Sequence, residues 1–110
     1  MRIPNAENAI IDIRKLKDYC LNPIHEVGEH KARIFESAFS LGPEDFSILQ
    51  TALLDAIKLN EAEIGKRDKF GQRYIVDFDF ERKMKVGRIR SVWIIDVGSY
   101  RPRLVTCYPL

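Results

Sequence analysis

The sequence has few of the residues that mark specialised protein classes. Its 110 residues include only two cysteines, Cys20 and Cys107, too few for a disulfide-dense scaffold and without the spacing of metal ligands. No hydrophobic run approaches the roughly 20 residues that span a bilayer, and the N-terminus has no signal-peptide core. We therefore expect reduced, buried thiols, no membrane association and a cytoplasmic location.

The common enzyme motifs are also missing. There is no glycine-rich phosphate loop, no dinucleotide-binding fingerprint and no nucleophile elbow. Two histidines, His25 and His30, could bracket a metal ion, but no set of Cys, Asp or Glu completes a recognisable site. The sequence therefore predicts neither a metal nor a cofactor. Its single tryptophan, Trp93, interrupts an apolar strand and is expected in the core.

The composition is that of an ordinary globular protein, but the charge is unevenly placed. With 45% hydrophobic and 31% charged residues, the chain is sized for one domain over residues 1–110. Residues 81–103 carry seven basic and two acidic side chains, whereas residues 1–80 carry 11 basic and 14 acidic ones. The basic segment could attract phosphates or an acidic protein. Alternatively, its lysines only keep a solvated hairpin from aggregating.

Apolar residues follow helical spacing in the first half of the chain. After an extended arm over residues 2–11, Asp12 is a plausible N-cap for a short helix ending at Cys20. A second helix is predicted over residues 29–40. A third helix is predicted to begin at Pro43 and to end at Leu59. The inner face of the short helix is predicted to consist of Ile13, Leu16, Tyr19 and Cys20.

After Asn60 the apolar residues recur at every second position. We predict a short strand over residues 62–64, a charged loop over 65–71, a strand from Gln72 and a turn over 82–87. Two further strands are predicted over residues 89–97 and 104–108. The expected fold is therefore α+β, with two to three N-terminal helices packed on one face of a three- to four-stranded antiparallel sheet.

The second predicted helix contains a lysine where an apolar residue is expected. At about 100° per residue, Lys31 falls inside the apolar arc, and His30 borders it. A histidine that titrates near neutral pH and a partly buried cation are components of metal-independent phosphodiester cleavage. The alternative is that Lys31 lays its methylenes on the core edge with its charge in water, and that His30 is a surface residue.

Several other polar residues could bind a phosphate chain. Arg88 and Arg90 share one strand face and either line a phosphate groove or pair across the hairpin with Asp77 and Asp79. Thr106 and Tyr108 alternate on the last strand, where their hydroxyls either donate to a phosphate or only satisfy the sheet. The predicted substrate-binding residues are Arg33, Arg73, Arg88, Arg103 and Tyr108.

Four stretches of the chain carry a resemblance to a known family. They are Pro4-Asn5-Ala6, residues 18–32 with Asn22-Pro23 and His30-Lys31-Ala32, Gly71-Gln72-Arg73-Tyr74, and Arg90-Ser91-Val92-Trp93 with residues 102–108. Through them the chain resembles a small bacterial domain family without an assigned activity, found alone, especially in cyanobacteria, and fused to phage-head or polymorphic-toxin proteins. The chain departs from the family at Cys20, where an aliphatic residue is expected, and in its more basic hairpin.

A looser likeness implies a chemistry. Helices before an antiparallel sheet, a His-Lys pair on a helix and a Thr-x-Tyr on the last strand resemble the barnase–EndoU–colicin–RelE group of small RNase toxins. This resemblance implies an RNA substrate, no metal and an acidic immunity or antitoxin partner. Its implied catalytic residues are His30 and Lys31 as acid/base and cation, Arg90 as phosphate clamp and Thr106 as donor to the transition state.

Three functions are consistent with these observations. The first is a toxin-like, metal-independent endoribonuclease. The second is a non-catalytic adaptor whose basic hairpin, including Lys83 and Lys85, docks an acidic protein. The third is an RNA-binding regulator without cleavage activity. Convergence of Lys31, His30 and an arginine of the strand predicted over residues 89–97 in one cleft would favour the first. The sequence makes no prediction about the oligomeric state.

Overall fold

The chain folds as helices packed on an antiparallel sheet. The computed structural model describes residues 1–24 and 29–110, and of Glu29 only the backbone. Two α-helices precede four strands, which confirms the predicted α+β class. The elements are α1 (Glu29–Phe39), α2 (Phe46–Leu59), β1 (Glu63–Asp68), β2 (Gly71–Arg82), β3 (Lys85–Asp96) and β4 (Pro102–Pro109), with a π-helix at Lys15–Cys20 and 3-10 turns at Ala6–Asn8 and Pro43–Asp45.

The sheet is a meander in the order β1-β2-β3-β4, with every neighbouring pair antiparallel. Pairing between β2 and β3 continues to Arg82 and Lys85, so the turn has only two central residues. These are Lys83 and Met84, whose φ values of 51° and 64° are those of a tight hairpin turn. The longer turn predicted over residues 82–87 is therefore wrong, because the strands pair further than the apolar alternation indicates.

The first strand also differs from the prediction. Residues 65–68 belong to β1, not to a charged loop. β1 is an edge strand whose register to β2 shifts between Ile64 and Arg67. Its residues are mostly exposed, and an edge strand that is charged on both faces has no apolar alternation for sequence analysis to detect.

The core lies between the helices and one face of the sheet. At its centre Trp93 is completely buried, as predicted, and its indole Nε1 donates to the Ser91 hydroxyl at 2.9 Å. That hydroxyl donates in turn to the Val76 carbonyl at 2.7 Å, so both buried polar groups are satisfied. The other large side chains that are fully buried are Phe35, Phe39, Leu16, Leu21, Leu41, Leu49, Leu53, Ile57, Ile89, Ile94 and Val76.

The predicted second and third helices are confirmed as α1 and α2, and the first is a π-helix. The Leu21 amide donates to the Leu16 carbonyl, five residues back, at 2.9 Å. Leu16 and Cys20 are buried and Tyr19 is half-buried, as predicted. The expectation that Ile13 faces inward is wrong, since its exposed fraction is 45% and it precedes the widened turn.

The N-terminal arm covers part of the outer edge of β4. The Ile10 amide donates to the Pro102 carbonyl at 2.9 Å, and the Leu104 amide donates to the Ile10 carbonyl at 3.1 Å. The arm is extended there but contains the 3-10 turn Ala6–Asn8. Beyond Leu104, β4 packs against α1 and the π-helix. No helix in the described ranges is both long and apolar enough to cross a membrane.

Candidate functional site

Lys31 lies at the junction between the helix layer and the last strand. It occupies the first turn of α1 and is half-buried. Its Nζ donates a hydrogen bond to Thr106 Oγ1 on β4 at 3.0 Å. The ammonium of this lysine is therefore fixed against the sheet by a partner that lies 75 residues further along the chain.

Two aromatic rings hold the same ammonium. Lys31 Nζ is 5.4 Å from the centre of the Tyr19 ring, on the π-helix, and 5.3 Å from the centre of the Tyr108 ring, on β4. Both distances are within the range of cation–π attraction. The position of Lys31 in the apolar arc of its helix thus has a physical explanation, because two rings and a hydroxyl surround the charge. We call Lys31, Thr106, Tyr19 and Tyr108 the Lys31 cluster.

Arg90 adjoins this cluster through Tyr108. The two residues are directly opposite each other on β3 and β4, and cross-strand partners share one face of a sheet. Arg90 Nε and Nη2 each donate to a different oxygen of Asp77 at 2.9 Å. The Asp77 carboxylate, and secondarily Tyr108, raise the pKa of the guanidinium above its ordinary value. Arg90 is therefore an oriented, permanent cation beside the Lys31 cluster.

The hydrogen bonds from Arg90 also favour the ionised form of the Asp77 carboxyl. The hydrogen bond from Arg90 is the main cause that lowers the pKa of the Asp77 carboxyl, and burial opposes it. Two parallel hydrogen bonds define the plane of the guanidinium, which a single bond would leave free to rotate. The pair therefore sets the direction in which the remaining N–H groups of Arg90 point.

Two thiols lie directly behind the cluster. Cys20 follows Tyr19, and Cys107 stands between Thr106 and Tyr108; both are completely buried and not joined by a disulfide, as expected from the sequence. Hydrogen bonds from the Cys107 side chain and backbone and from Thr106, with the charge of Lys31, lower the pKa of Cys20 to about 7 against the opposing effect of burial. The hydrogen bond to Cys20 and burial raise the pKa of Cys107 well above its ordinary value.

Three of the predicted phosphate-binding arginines are occupied by carboxylates. Nη1 of Arg73 is 3.0 Å from Asp68, and the Arg103 guanidinium makes two hydrogen bonds to Asp96 at 2.6 and 3.0 Å. Arg88 pairs with Asp79 at 2.7 Å. The alternative that Arg88 and Arg90 pair across the hairpin with Asp79 and Asp77 is thus confirmed. Among the described residues, none of these three arginines hydrogen-bonds to the Lys31 cluster.

The remaining predicted residues lie on or before α1. His30 is exposed, and within the described ranges it makes no hydrogen bond to Lys31, Thr106 or Arg90. Arg33 is also exposed and lines an apolar cavity of about 310 Å³ with Leu21 and Leu41. His25 lies outside the described residues. Of the predicted catalytic set, the structure therefore brings Lys31, Thr106 and Arg90 together and leaves His30 at the surface.

The sequence singled out neither thiol as functional and assigned Tyr19 only to an inner helix face. The sequence holds no signal for them, because the contacts of their neighbours Tyr19 and Thr106 with Lys31 exist only in the folded chain. In the part of the chain that the structure describes, no three side chains of His, Cys, Asp or Glu come together as a potential metal site.

Residues 2–110 match the family described as "Domain of unknown function (DUF6883)". The chain belongs to this family. No curated protein sequence was found to match this DUF6883 member.

A solved structure has the same fold as this DUF6883 chain. It is described as a contact-dependent growth inhibition toxin–immunity protein complex from Klebsiella pneumoniae 342. The TM-score is 0.69 at 14% identity, and the match covers 93% of this chain and 100% of that chain. The likeness at this identity is one of fold.

Proposed function

We propose that this chain is a toxin-like, metal-independent endoribonuclease domain centred on the Lys31 cluster. The observation that carries the proposal is the fixed ammonium of Lys31, held on the Thr106 hydroxyl between two tyrosine rings, with Arg90 one strand away. The fold likeness to a protein from a toxin–immunity complex, and the resemblance of the sequence to small RNase toxins, support the toxin-like part.

The proposed reaction needs only groups that this chain carries. The His30 imidazole accepts the proton of the ribose 2′-hydroxyl, the 2′-oxygen attacks the phosphorus, and the bond to the 5′-oxygen breaks. The imidazolium returns the proton to the 5′-oxygen, so that the products are a 2′,3′-cyclic phosphate and a 5′-hydroxyl. The negative charge that develops on the phosphoryl oxygens is stabilised by fixed donors and cations. Lys31 and Arg90 supply the cations, and the hydroxyls of Thr106 and Tyr108 supply neutral donors.

Arg90 remains able to bind a phosphate although it pairs with Asp77. A guanidinium has five N–H groups, of which the pair with Asp77 uses Nε and one position on Nη2. The carboxylate therefore orients Arg90 without exhausting its donors. Because the Arg90 side chain is 34% exposed, a substrate phosphate can approach the remaining N–H groups.

His30 is the proposed proton-transfer residue at the rim of this site. It precedes Lys31 on the first turn of α1 and is exposed, so it is accessible to a substrate that reaches Lys31. Its imidazole can accept the 2′-hydroxyl proton and return it to the leaving 5′-oxygen. This role is separable from that of Lys31, because His30 makes no hydrogen bond to Lys31 or Thr106 in the described residues.

The experiment is an RNA cleavage assay in EDTA, paired with induced expression in growing cells. We expect the wild-type chain to cut RNA and arrest growth, and Lys31→Ala to do neither while it remains folded by circular dichroism. Lys58→Ala, an exposed lysine in the last turn of α2, is the matched control and should act as wild type. Intact RNA and unimpaired growth with the wild-type chain would overturn the proposal.

His30→Ala separates two parts of the proposal. Loss of cleavage with unchanged folding is expected if His30 transfers a proton. Full activity would remove His30 from the mechanism and leave the Lys31 centre in place. RNA binding that weakens with salt but produces no cleavage would instead favour an RNA-binding regulator.

One observation favours the adaptor alternative. The β2–β3 hairpin projects Met84 and Val86, whose exposed fractions are 94% and 74%, beside Lys83 and Lys85. The turn is anchored to the helix layer, because Arg82, which directly precedes Lys83, donates to the Ser40 carbonyl at 2.6 Å. A rigid hairpin that is both basic and apolar fits an acidic protein surface with an apolar centre.

The adaptor alternative has its own test. If this function holds, a tagged chain copurifies with an acidic protein, the complex is lost in Lys83→Glu/Lys85→Glu, and it persists in Lys31→Ala. Retention of the complex in the charge-reversed variant would exclude the hairpin as the docking site.

A further inference from the structure

Among the described residues, the two most exposed aromatic side chains lie at the end of the sheet that is opposite the β2–β3 hairpin. Phe70 stands in the turn between β1 and β2, and Tyr100 stands between β3 and β4. Their exposed fractions are 59% and 60%. Val97, in the same connection as Tyr100, is 73% exposed. The two turns together therefore present an apolar surface that no described part of the chain covers.

The backbone of both turns is fixed. The Phe70 amide donates to Asp68 Oδ1 at 2.9 Å, and the Phe70 carbonyl accepts from the Val97 amide at 3.0 Å. The second of these bonds joins the two turns directly. The Tyr100 carbonyl accepts from Asn5 Nδ2 of the N-terminal arm at 2.9 Å. Because the rings are presented by ordered backbone, a ligand that binds them loses little free energy in ordering the protein.

Positive charge predominates around the two rings. Residues 66–73 and 96–103 carry six basic and two acidic side chains, and each carboxylate pairs with an arginine of the adjacent strand. Lys69 Nζ lies 5.3 Å from the centre of the Phe70 ring, within the range of cation–π attraction. The basic side chains that are exposed are Lys66, Arg67, Lys69 and Arg101. The surface therefore combines flat rings with a net positive charge.

An open hollow lies between the same two turns. Its volume is about 460 Å³, and its lining includes Arg67 of β1, Gln72 of β2, and Val97 and Ser99 of the connection between β3 and β4. Small-molecule sites typically have volumes of about 300–1,000 Å³. The hollow has a cation in its wall and an exposed ring in each bordering turn, which are groups that hold a phosphate and stack against a base.

We propose that this end of the sheet binds single-stranded nucleic acid by stacking bases on Phe70 and Tyr100. The basic side chains beside the rings, Arg67 and Lys69, contact the phosphates. We call these four residues the Phe70–Tyr100 platform. Proteins that bind single strands combine aromatic rings with cations in this way, since every base has a π-face. Cations separate the two rings, so the surface favours a ligand in which rings and negative charges alternate over an acidic protein, whose contact would have an apolar centre.

The platform is separate from the Lys31 cluster but lies on the same sheet. Pro102, the first residue of β4, is four residues before Thr106, a distance of about 13 Å at roughly 3.3 Å per residue. An RNA strand that is held at the platform can therefore extend to the Lys31 cluster. This role in holding substrate rests on the proposed nuclease function, whereas the binding of a single strand does not.

The test is fluorescence anisotropy in EDTA with the whole chain and a labelled 2′-O-methyl RNA of about 12 nucleotides. This oligonucleotide has no free 2′-hydroxyl, so the proposed reaction cannot cleave it. Phe70→Leu, which keeps an apolar side chain but removes the ring, should raise the Kd about fivefold or more, and so should Tyr100→Leu. Phe70→Trp keeps a stacking ring and should bind as wild type. Leu59→Ala, an exposed apolar residue at the end of α2, is the control and should not change the Kd.

The salt dependence of the same binding tests the cations. Arg67→Ala should reduce the slope of log Kd against log salt concentration by about 0.7, the value for one phosphate contact of a single strand. Lys58→Ala, which removes an exposed lysine of α2, should leave the slope unchanged.

Three results would overturn the proposal. They are no binding of the oligonucleotide by the wild-type chain at low salt, an unchanged Kd in both leucine variants, and tighter binding of a polyglutamate peptide that the leucine variants retain. The last result would identify an acidic protein as the ligand. Circular dichroism establishes that each variant is folded, and the two leucine substitutions lie in different turns, so that either one suffices.

The failure of the platform and the failure of the nuclease function are distinguishable. If the oligonucleotide binds as expected but the wild-type chain leaves RNA uncut, the nuclease function fails and the platform stands. If RNA is cut but Phe70→Leu and Tyr100→Leu bind the oligonucleotide as tightly as wild type, only the platform is wrong.

Discussion

Lys31 and Thr106 join the first turn of α1 to the last strand through a single 3.0 Å hydrogen bond between Nζ and Oγ1. Because Thr106 accepts this bond at the edge of the sheet, its removal should disturb the Lys31 ammonium more than the fold. The bond therefore offers a way to separate function from stability.

Thr106→Val keeps the shape of the side chain and removes the hydroxyl. We expect RNA cleavage to fall by about 10²-fold, as for other single donors to a developing anion. The free energy of unfolding should change by less than about 1 kcal/mol, since Thr106 is half-buried and Lys31 can turn to water. Thr106→Ser, which restores the hydroxyl, should recover most of the activity. Equal activity of the valine and serine variants would show that the hydroxyl has no role.

Arg90→Lys tests the fixed guanidinium beside Tyr108. A lysine keeps the charge but cannot make the two parallel hydrogen bonds to Asp77. We therefore expect a drop in kcat/KM for RNA of about tenfold or more. The matched control is Arg88→Lys, on the same strand, whose partner Asp79 is largely exposed. A comparable loss in both variants would indicate a general effect of sheet charge instead of a specific role for Arg90.

The fold was predictable from the sequence where one face of an element is apolar. Phe46, Leu49 and Leu53 repeat at helical spacing, and α2 ends at Leu59 as expected. β1 was predicted only in part, over residues 62–64, because the rest of it is a charged edge strand that no burial pattern marks. The π-helix was read as an ordinary helix, since five-residue hydrogen bonding has no sequence signature of its own.

The candidate site was predictable only in part. Lys31 was identifiable because a charge interrupts an apolar stripe, and the structure explains it through Thr106, Tyr19 and Tyr108. The thiols were not, because Cys20 and Cys107 are distant in the sequence and meet only when the π-helix packs on β4. The pairing of Arg103 with Asp96 was likewise decided by strand register and turn geometry, which residue spacing does not specify.

Met84→Gly should stabilise the protein. Met84 has a φ of 64°, a region that costs a residue with a β-carbon roughly 1 kcal/mol and costs glycine little. We expect the free energy of unfolding to rise by about 0.5–1 kcal/mol, measured by urea denaturation at constant m-value. Met84→Ala retains the β-carbon and should give no such gain. Equal stability of the glycine and alanine variants would contradict this interpretation of the turn.

Stability should rise with pH between about 7 and 9. The folded pKa of Cys20 is about 7, below the ordinary value of 9.0, so in this interval the unfolded chain binds a proton that the folded chain has released. The free energy of unfolding therefore increases, by at most about 2 kcal/mol, and the gain is lost as pH falls through 7. Above pH 9 the raised pKa of Cys107 acts in the opposite direction.

Urea denaturation at pH 6.5 and pH 8.5 measures this difference. Cys20→Val replaces the titrating thiol with an aliphatic side chain, and it should abolish the pH-dependent gain. A gain of the same size in Cys20→Val would show that another group is responsible.

The most direct measurement of the central claim is the chemical nature of RNA ends after incubation with the purified chain in EDTA. The Lys31-centred mechanism predicts 2′,3′-cyclic phosphate and 5′-hydroxyl termini from the wild type and from Lys58→Ala, and uncut RNA from Lys31→Ala. Uncut RNA in all three samples, or cleavage that persists in a folded Lys31→Ala variant, would contradict it.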